Sequence, residues 1–341
     1  MSIVTIPKEI QLFIFGHLKV ADLVSVSETC HRLKDVARDP CLWKKVTLSY
    51  QKIKNNNEAC RNHVSRCSSL KEIYITGEEK SIRSDKIMAV VMKANKGTLT
   101  RIILSPSFAG LSNSSFERIG DMTKLTHLAV GGSKLKEDGI EHLSSLTELK
   151  SLKIPGIEGG YTWWENLDVI LANLFSKLKK LEEVDIKMEN SFPSDGVIES
   201  LVNNNPNLHH IDISTSLIRS FFNPHQNSNL TSSSLNLIAD KCPKLTYIGI
   251  GNLTMFSSND ILRLVAKCPK LKYANFERTQ VEDACLAMIP QNCPDLEFIK
   301  ISGSYRLSAD SVVELGQDLP NLKIEDEEED DSNPELFCSL M

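Results

Sequence analysis

The sequence predicts an α/β solenoid, parallel strands backed by helices, with a small all-helical module in front of it. Three observations carry that prediction. A segment of form Leu-x-x-apolar-x-apolar recurs ten times, starting at Leu70, Leu99, Leu125, Leu149, Leu181, Leu208, Leu245, Leu271, Leu296 and, in degenerate form, Leu322, at spacings of 24 to 37 residues. Between the copies lie stretches of helical periodicity, as in 235–239 and 261–266, for which Ser234 and Asn259 or Asp260 are expected to be the caps. Residues 1–48 carry no copy but are dense in apolar positions at helical spacing. One strand and one helix per repeat cannot close a core alone, so the copies must stack.

Composition fits a folded chain. The 341 residues are 41% hydrophobic and 24% charged, enough for a full core and too apolar for disorder throughout. No run approaches the roughly 18 uncharged apolar residues of a membrane helix, and no small-residue cleavage site follows the amino-terminal apolar stretch. The chain is therefore expected in the cytoplasm, with the nucleus also open to it, and its nine cysteines are expected to stay reduced. Seven consecutive acidic residues at 325–331 outweigh the net charge of −5, so the rest is nearly balanced. No basic stripe interleaved with aromatics appears, which argues against a nucleic-acid partner.

In the first 48 residues Pro7 suits the first turn of a helix, and Ile10, Phe13, Ile14 and Leu18 follow at helical spacing. Asp22 and Leu23 open a second segment, and Leu42 and Trp43 close the region. Forty-odd residues with this much apolar surface are marginal as an isolated fold. The series Ile6-Pro7-Lys8-Glu9-Ile10, Leu12, Ile14-Phe15, Leu18, Asp22-Leu23, Val26, Cys30, Asp39-Pro40 and Leu42-Trp43 resembles an F-box in order and spacing. Ile6 stands where that family usually has Leu, and Leu33 where an aromatic is common. The resemblance implies a substrate receptor of an SCF-type ubiquitin ligase, docked to a Skp-family adaptor and through it to a cullin scaffold. Pro7, Ile10, Ile14, Leu18, Leu23 and Val26 are assigned to the adaptor interface or its immediate support. Residues 49–66 are expected to be a linker helix.

Within each repeat the apolar residues alternate with period two and are rich in Ile and Val, the mark of a half-buried strand. The pattern over 67–324 resembles the leucine-rich repeats, in the longer subclass with a helix on the convex side. Together the two resemblances imply a small all-helical F-box followed by a leucine-rich-repeat α/β solenoid, a horseshoe with parallel strands on its concave face. Ser107, Ser133, Ser216, Thr279 and Ser304 stand where that family often has Asn or Cys. Cys67, Cys242, Cys268 and Cys293 each precede a repeat leucine by three residues. With no CxxC and no His at ligand spacing, they read as a buried small-residue position and not as a metal site.

Period two also says which residues face the open side of the sheet. One column reads Glu72, Arg101, His127, Ser151, Glu183, His210, Tyr247, Tyr273 and Phe298; its neighbour reads Tyr74, Ile103, Ala129, Lys153, Asp185, Asp212, Gly249, Asn275 and Lys300. The aromatic end, Tyr247, Tyr273 and Phe298 with His210 beside it, is expected to form a ladder that anchors a protein substrate, with Gly249 leaving room for a groove. Two longer repeats add Trp163, Trp164, Phe221 and Phe222 as secondary candidates for partner contact.

Residues 325–341 are expected to be a solvated acidic tail. Their last four, Cys338-Ser339-Leu340-Met341, fit the C-a-a-X signal for farnesylation of Cys338, which would be the only route to a membrane. No metal, cofactor or catalytic constellation is expected: the eight histidines offer no HExxH, and no phosphate-cradling glycine loop or nucleophile elbow occurs. The competing reading is a non-degradative repeat scaffold, tethered to membrane if Cys338 is prenylated.

Overall fold

A short 3-10 turn at Ile3–Thr5 precedes helix α1, Lys8–Phe15, which starts directly after Pro7; that residue's fixed φ of −55° leads into the helix, and its missing N–H costs nothing there. Helices α2, Val20–Thr29, and α3, His31–Ala37, complete a three-helix module around Phe15, Leu23, Val24, Leu33, Val36 and Ala37. Gln11 is buried among them because its Nε2 donates to the Ile3 carbonyl at 2.7 Å. The computed structural model describes residues 3–49, 69–76, 83–104, 111–131, 137–155, 157–158, 164–189, 193–216 and 230–326.

The sheet starts earlier than the leucine-led copies indicate. Strand β1, Lys45–Ser49, pairs in parallel with β2, Glu72–Thr76, so 45–49 belong to the solenoid as well as closing the helical module. Trp43-Lys44-Lys45-Val46-Thr47-Leu48 is a further copy of the repeat with Trp43 in the leucine slot. Its Nε1 donates to the Ala37 carbonyl at 2.7 Å, which ties α3 to the first strand. Of the expected linker helix at 49–66, Ser49 is instead the last residue of β1, and 50–66 lie outside the described residues.

From β2 the sheet runs through β3, Arg101–Leu104; β4, His127–Val130; β5, Ser151–Lys153; β7, Glu183–Asp185; β9, His210–Asp212; β11, Tyr247–Gly249; β12, Tyr273–Asn275; β13, Phe298–Lys300; and β14, Lys323–Glu325. With β1 this makes eleven parallel strands in chain order among the described residues. The omitted strands β6, Ile157–Glu158, β8, Met188–Glu189, and β10, Thr215–Ser216, form a second, three-stranded parallel sheet just beyond β5, β7 and β9. The leading leucines from Leu70 to Leu296 and the first strand apolars are buried against helices that follow the strands. Glu325, expected to begin the tail, is instead the last strand residue and pairs with Lys300 at 2.8 Å.

Helices α4, Arg83–Asn95, to α12, Ala309–Asp318, cover the other face. They begin sooner than expected. Thr231 caps α9, Ser232–Lys241, and Ser257 caps α10, Ser258–Lys267, placing Ser234, Asn259 and Asp260 inside the first turns. A capping hydroxyl must sit just outside the helix with extended φ/ψ, whereas a residue two or three further on already has helical φ/ψ. Cys242, Cys268 and Cys293 end three successive helices, buried, with the Cys293 thiol donating to the Cys268 carbonyl at 3.4 Å; burial pushes their pKa values up to about 12, 12 and 11. They sit as neutral thiols, the packing position expected of them. Cys67 lies outside the described residues.

Candidate functional site

The strand register aligns both inward columns residue by residue, from Glu72 to Phe298 and from Tyr74 to Lys300. Lys45 and Lys323 extend the first column at its two ends. Because neighbouring strands lie ~4.8 Å apart, side chains of one column must stack. The rings of His210 and Tyr247 lie 4.0 Å apart at 15°, those of Tyr247 and Tyr273 6.2 Å apart at 27°, and those of Tyr273 and Phe298 6.4 Å apart at 32°. Lys323 Nζ closes the far end, 5.6 Å above the Phe298 ring. The ladder thus has four half-buried rings and a cation.

The groove expected beside Gly249 is not there. A Cβ on Gly249 would collide with the Asp212 carboxylate, which fills that space. Asp212 accepts from the Tyr247 hydroxyl at 3.0 Å, from Lys187 Nζ at 3.0 Å and from the Ser214 amide at 3.0 Å. Gly249 therefore serves the floor of the site and opens no cavity. Asp185 lies next to Asp212 in the same column, also buried, its carboxylate accepting from the Lys187 amide at 3.2 Å.

The electrostatics follow from burial first. Burial pushes Asp212 up, but Lys187 and its hydrogen bonds hold it below the usual carboxylate range. Burial wins at Asp185, against Lys187 and with the added repulsion of Asp212, and takes it up to about 6. His210 is pushed down to about 4 by burial and by Lys153, so it stacks as a neutral ring. Burial and the Asp212 charge raise Tyr247, which stays protonated and donates. At Glu183 burial is outweighed by Lys153, 3.6 Å away, and by the Ser151 hydroxyl at 2.8 Å.

The second surface is on α1. Ile10, Phe13 and Ile14, at i, i+3 and i+4, are 50%, 71% and 38% exposed, and Pro7 is exposed beside them. Leu18 and Val26 are half-buried, while Leu23 is buried in the module core and supports the surface without presenting to it. Phe13, whose ring meets His17 edge-on at 5.1 Å, is the most exposed of the three and was missing from the assignment by resemblance, although its spacing already placed it on that face. Trp164 opens α7, Trp164–Lys177, with its side chain outside the described residues, as are Trp163, Phe221, Phe222 and Cys338 altogether.

Residues 3–49 match the family model described as F-box-like. Among solved structures the chain is similar to that described as the crystal structure of the Rad7 and Elc1 complex in yeast, with 14% identity, a TM-score of 0.47 and coverage of 93% of this chain and 92% of that one. The molecule is an F-box-like helical domain followed by an α/β repeat solenoid, as the two resemblances imply.

Proposed function

We propose that this protein is a substrate-recognition subunit of an SCF-type ubiquitin ligase, working in the cytoplasm or nucleus. The observation that carries this reading is an F-box-like domain whose first helix leaves Ile10, Phe13 and Ile14 facing solvent. A helix stripe this apolar is stabilised by a partner that covers it. In this reading Pro7, Ile10, Phe13 and Ile14 dock a Skp-family adaptor and through it a cullin, with Leu18, Leu23 and Val26 holding α1 in place. The ring ladder on the open face of the sheet holds a protein substrate destined for proteasomal degradation. The chain performs no chemistry itself; it raises the effective concentration of substrate near a ubiquitin-loaded conjugating enzyme. Farnesylation of Cys338 belongs to the same proposal as a regulated membrane contact, and intact-mass measurement of the carboxyl-terminal peptide tests it.

Affinity purification with mass spectrometry from cells with a blocked proteasome tests the whole. The intact protein should recover adaptor, cullin and substrate. Phe13→Glu should lose adaptor and cullin but keep substrate, and the Tyr273→Ala, Phe298→Ala variant should do the reverse. Absence of adaptor and cullin from the intact sample would overturn the receptor reading in favour of a free-standing scaffold.

A further inference from the structure

Among the cations in the two inward columns, Arg101 differs from the rest. Lys45 pairs with Glu72 at 3.8 Å, Lys153 with Glu183 at 3.6 Å, and Lys300 with Glu277 and Glu325 at 3.4 and 2.8 Å. Lys323 covers the Phe298 ring. Arg101 meets only neutral groups: its guanidinium donates to His127 Nε2 at 3.0 Å and to the Tyr74 hydroxyl at 3.5 Å. Among the described residues no carboxylate lies within ion-pair distance of it. The nearest acid of its own column, Glu72, is engaged by Lys45 and by the Tyr74 hydroxyl at 3.1 Å.

This guanidinium is also held in place. His127 is half-buried, and burial together with the Arg101 charge pushes its pKa down, so Nε2 stays an acceptor; Nδ1 meets the Thr126 hydroxyl at 2.9 Å. Alternation along β3 buries Ile102 and Leu104 and turns Arg101 and Ile103 to the open face. Arg101 itself is half-buried, so its guanidinium is partly open to solvent on that face. An Arg always carries its charge, has five donors in a planar fork, and pairs best with a carboxylate.

We infer that Arg101 is a second anchor of the open face, which takes an aspartate or glutamate side chain of an extended protein segment whose apolar or aromatic residue rests on the ladder at Tyr273 and Phe298. The inference rests on the substrate-holding role proposed above. From β3 to β12 there are six strand steps. At ~4.8 Å per step that is about 29 Å, which an extended peptide covers in roughly eight or nine residues. Around the ladder Lys300 is engaged by Glu277 and Glu325 and Lys323 lies over the Phe298 ring, so acid selection belongs to the Arg101 end and apolar selection to the Tyr273 end.

Fluorescence polarisation with the full-length protein and carboxyl-amidated peptides tests this, each peptide carrying one Asp and one Phe separated by about four to eleven residues. Affinity should peak at a separation of roughly eight or nine. It should fall about tenfold when the peptide Asp becomes Asn, and equally in Arg101→Gln, while the two changes together cost no more than either alone. The peptide-side change keeps the test valid should Arg101→Gln fail to fold. Binding that depends on Phe and on Tyr273 but ignores the Asp would overturn the Arg101 anchor and leave the ladder standing. Binding indifferent to Tyr273→Ala and Phe298→Ala would overturn both.

Discussion

Asp212 shows how single positions shape the open face. Its carboxylate reaches across to the Tyr247 hydroxyl only because residue 249 of the next strand lacks a Cβ. Side by side with it, Asp185 and His210 are both shifted, in opposite senses. The folded state holds Asp185 protonated up to about pH 6, against an ordinary 3.8, so the stability it contributes is lost as pH rises through that window. His210 titrates near 4 in place of 6.5, so its contribution is lost as pH falls from 6.5 towards 4. The two slopes oppose each other over nearly the same range. Asp185→Asn should therefore gain stability relative to the parent as pH rises from about 4 to 6, and His210→Gln should gain as pH falls from about 6.5 to 4. Melting temperatures of the three proteins across that range decide it; parallel curves would mean that neither group titrates abnormally.

At the scale of elements, helix starts are stitched from repeat to repeat by carboxylates. Asp195 of α8, Asp195–Asn204, accepts from the amide and hydroxyl of Thr231, the cap of α9, and from Ser234. Asp260 completes a capping box with Ser257 and also accepts from Ser232 at 2.6 Å and Asn236 at 3.1 Å in α9. Asp283 of α11, Asp283–Asn292, accepts from Ser308 and Ser311 at the start of α12. Each acid sits at the positive end of a helix, where its charge is favoured. Losing one cap hydroxyl costs about 1 kcal/mol, so Ser257→Ala should lower stability by about that much, whereas Asp260→Ala, which also strips Ser232 and Asn236 of their acceptor, should cost about twice as much. Urea midpoints compare the two; equal losses would show that Asp260 serves its own helix alone. This stitching explains why the sequence revealed the strands more fully than the helix starts. Period two leaves each strand residue one of two faces, so Arg101, His210 and Tyr273 could be placed in their column by counting. A cap depends on which of several hydroxyls, Thr231 or Ser234, finds extended φ/ψ and a partner in the next repeat, and counting does not reveal that. The Asp212–Lys187–Tyr247 network was equally hidden, since Lys187 lies just past its strand and Gly249 read as space.

For the whole molecule, the decisive element is β1, which makes the helical domain and the solenoid share one sheet and one core. Trp43 disguised it, standing in the slot where every later repeat has leucine, and the boundary was therefore expected some twenty residues further on. Val46 is fully buried against Ile73, its partner in β2, so the orientation of α1 relative to the open face is fixed through this strand. A domain of forty-odd residues is marginal by itself, and its stability is expected to depend on that junction. Val46→Asp would bury an unpaired carboxylate, a cost of several kcal/mol that the chain can avoid only by releasing β1. Thr47→Asp, on the same strand but facing solvent, should change little. Calorimetry of the full chain should then show the helical domain unfolding in a separate transition at lower temperature in Val46→Asp, while Thr47→Asp melts like the parent. Adaptor capture by Val46→Asp should fall on warming while peptide binding at the ring ladder persists. Were both variants to keep the parent's transition, β1 would be dispensable, and the spacing between adaptor and substrate would have to be set by the chain between 49 and 69.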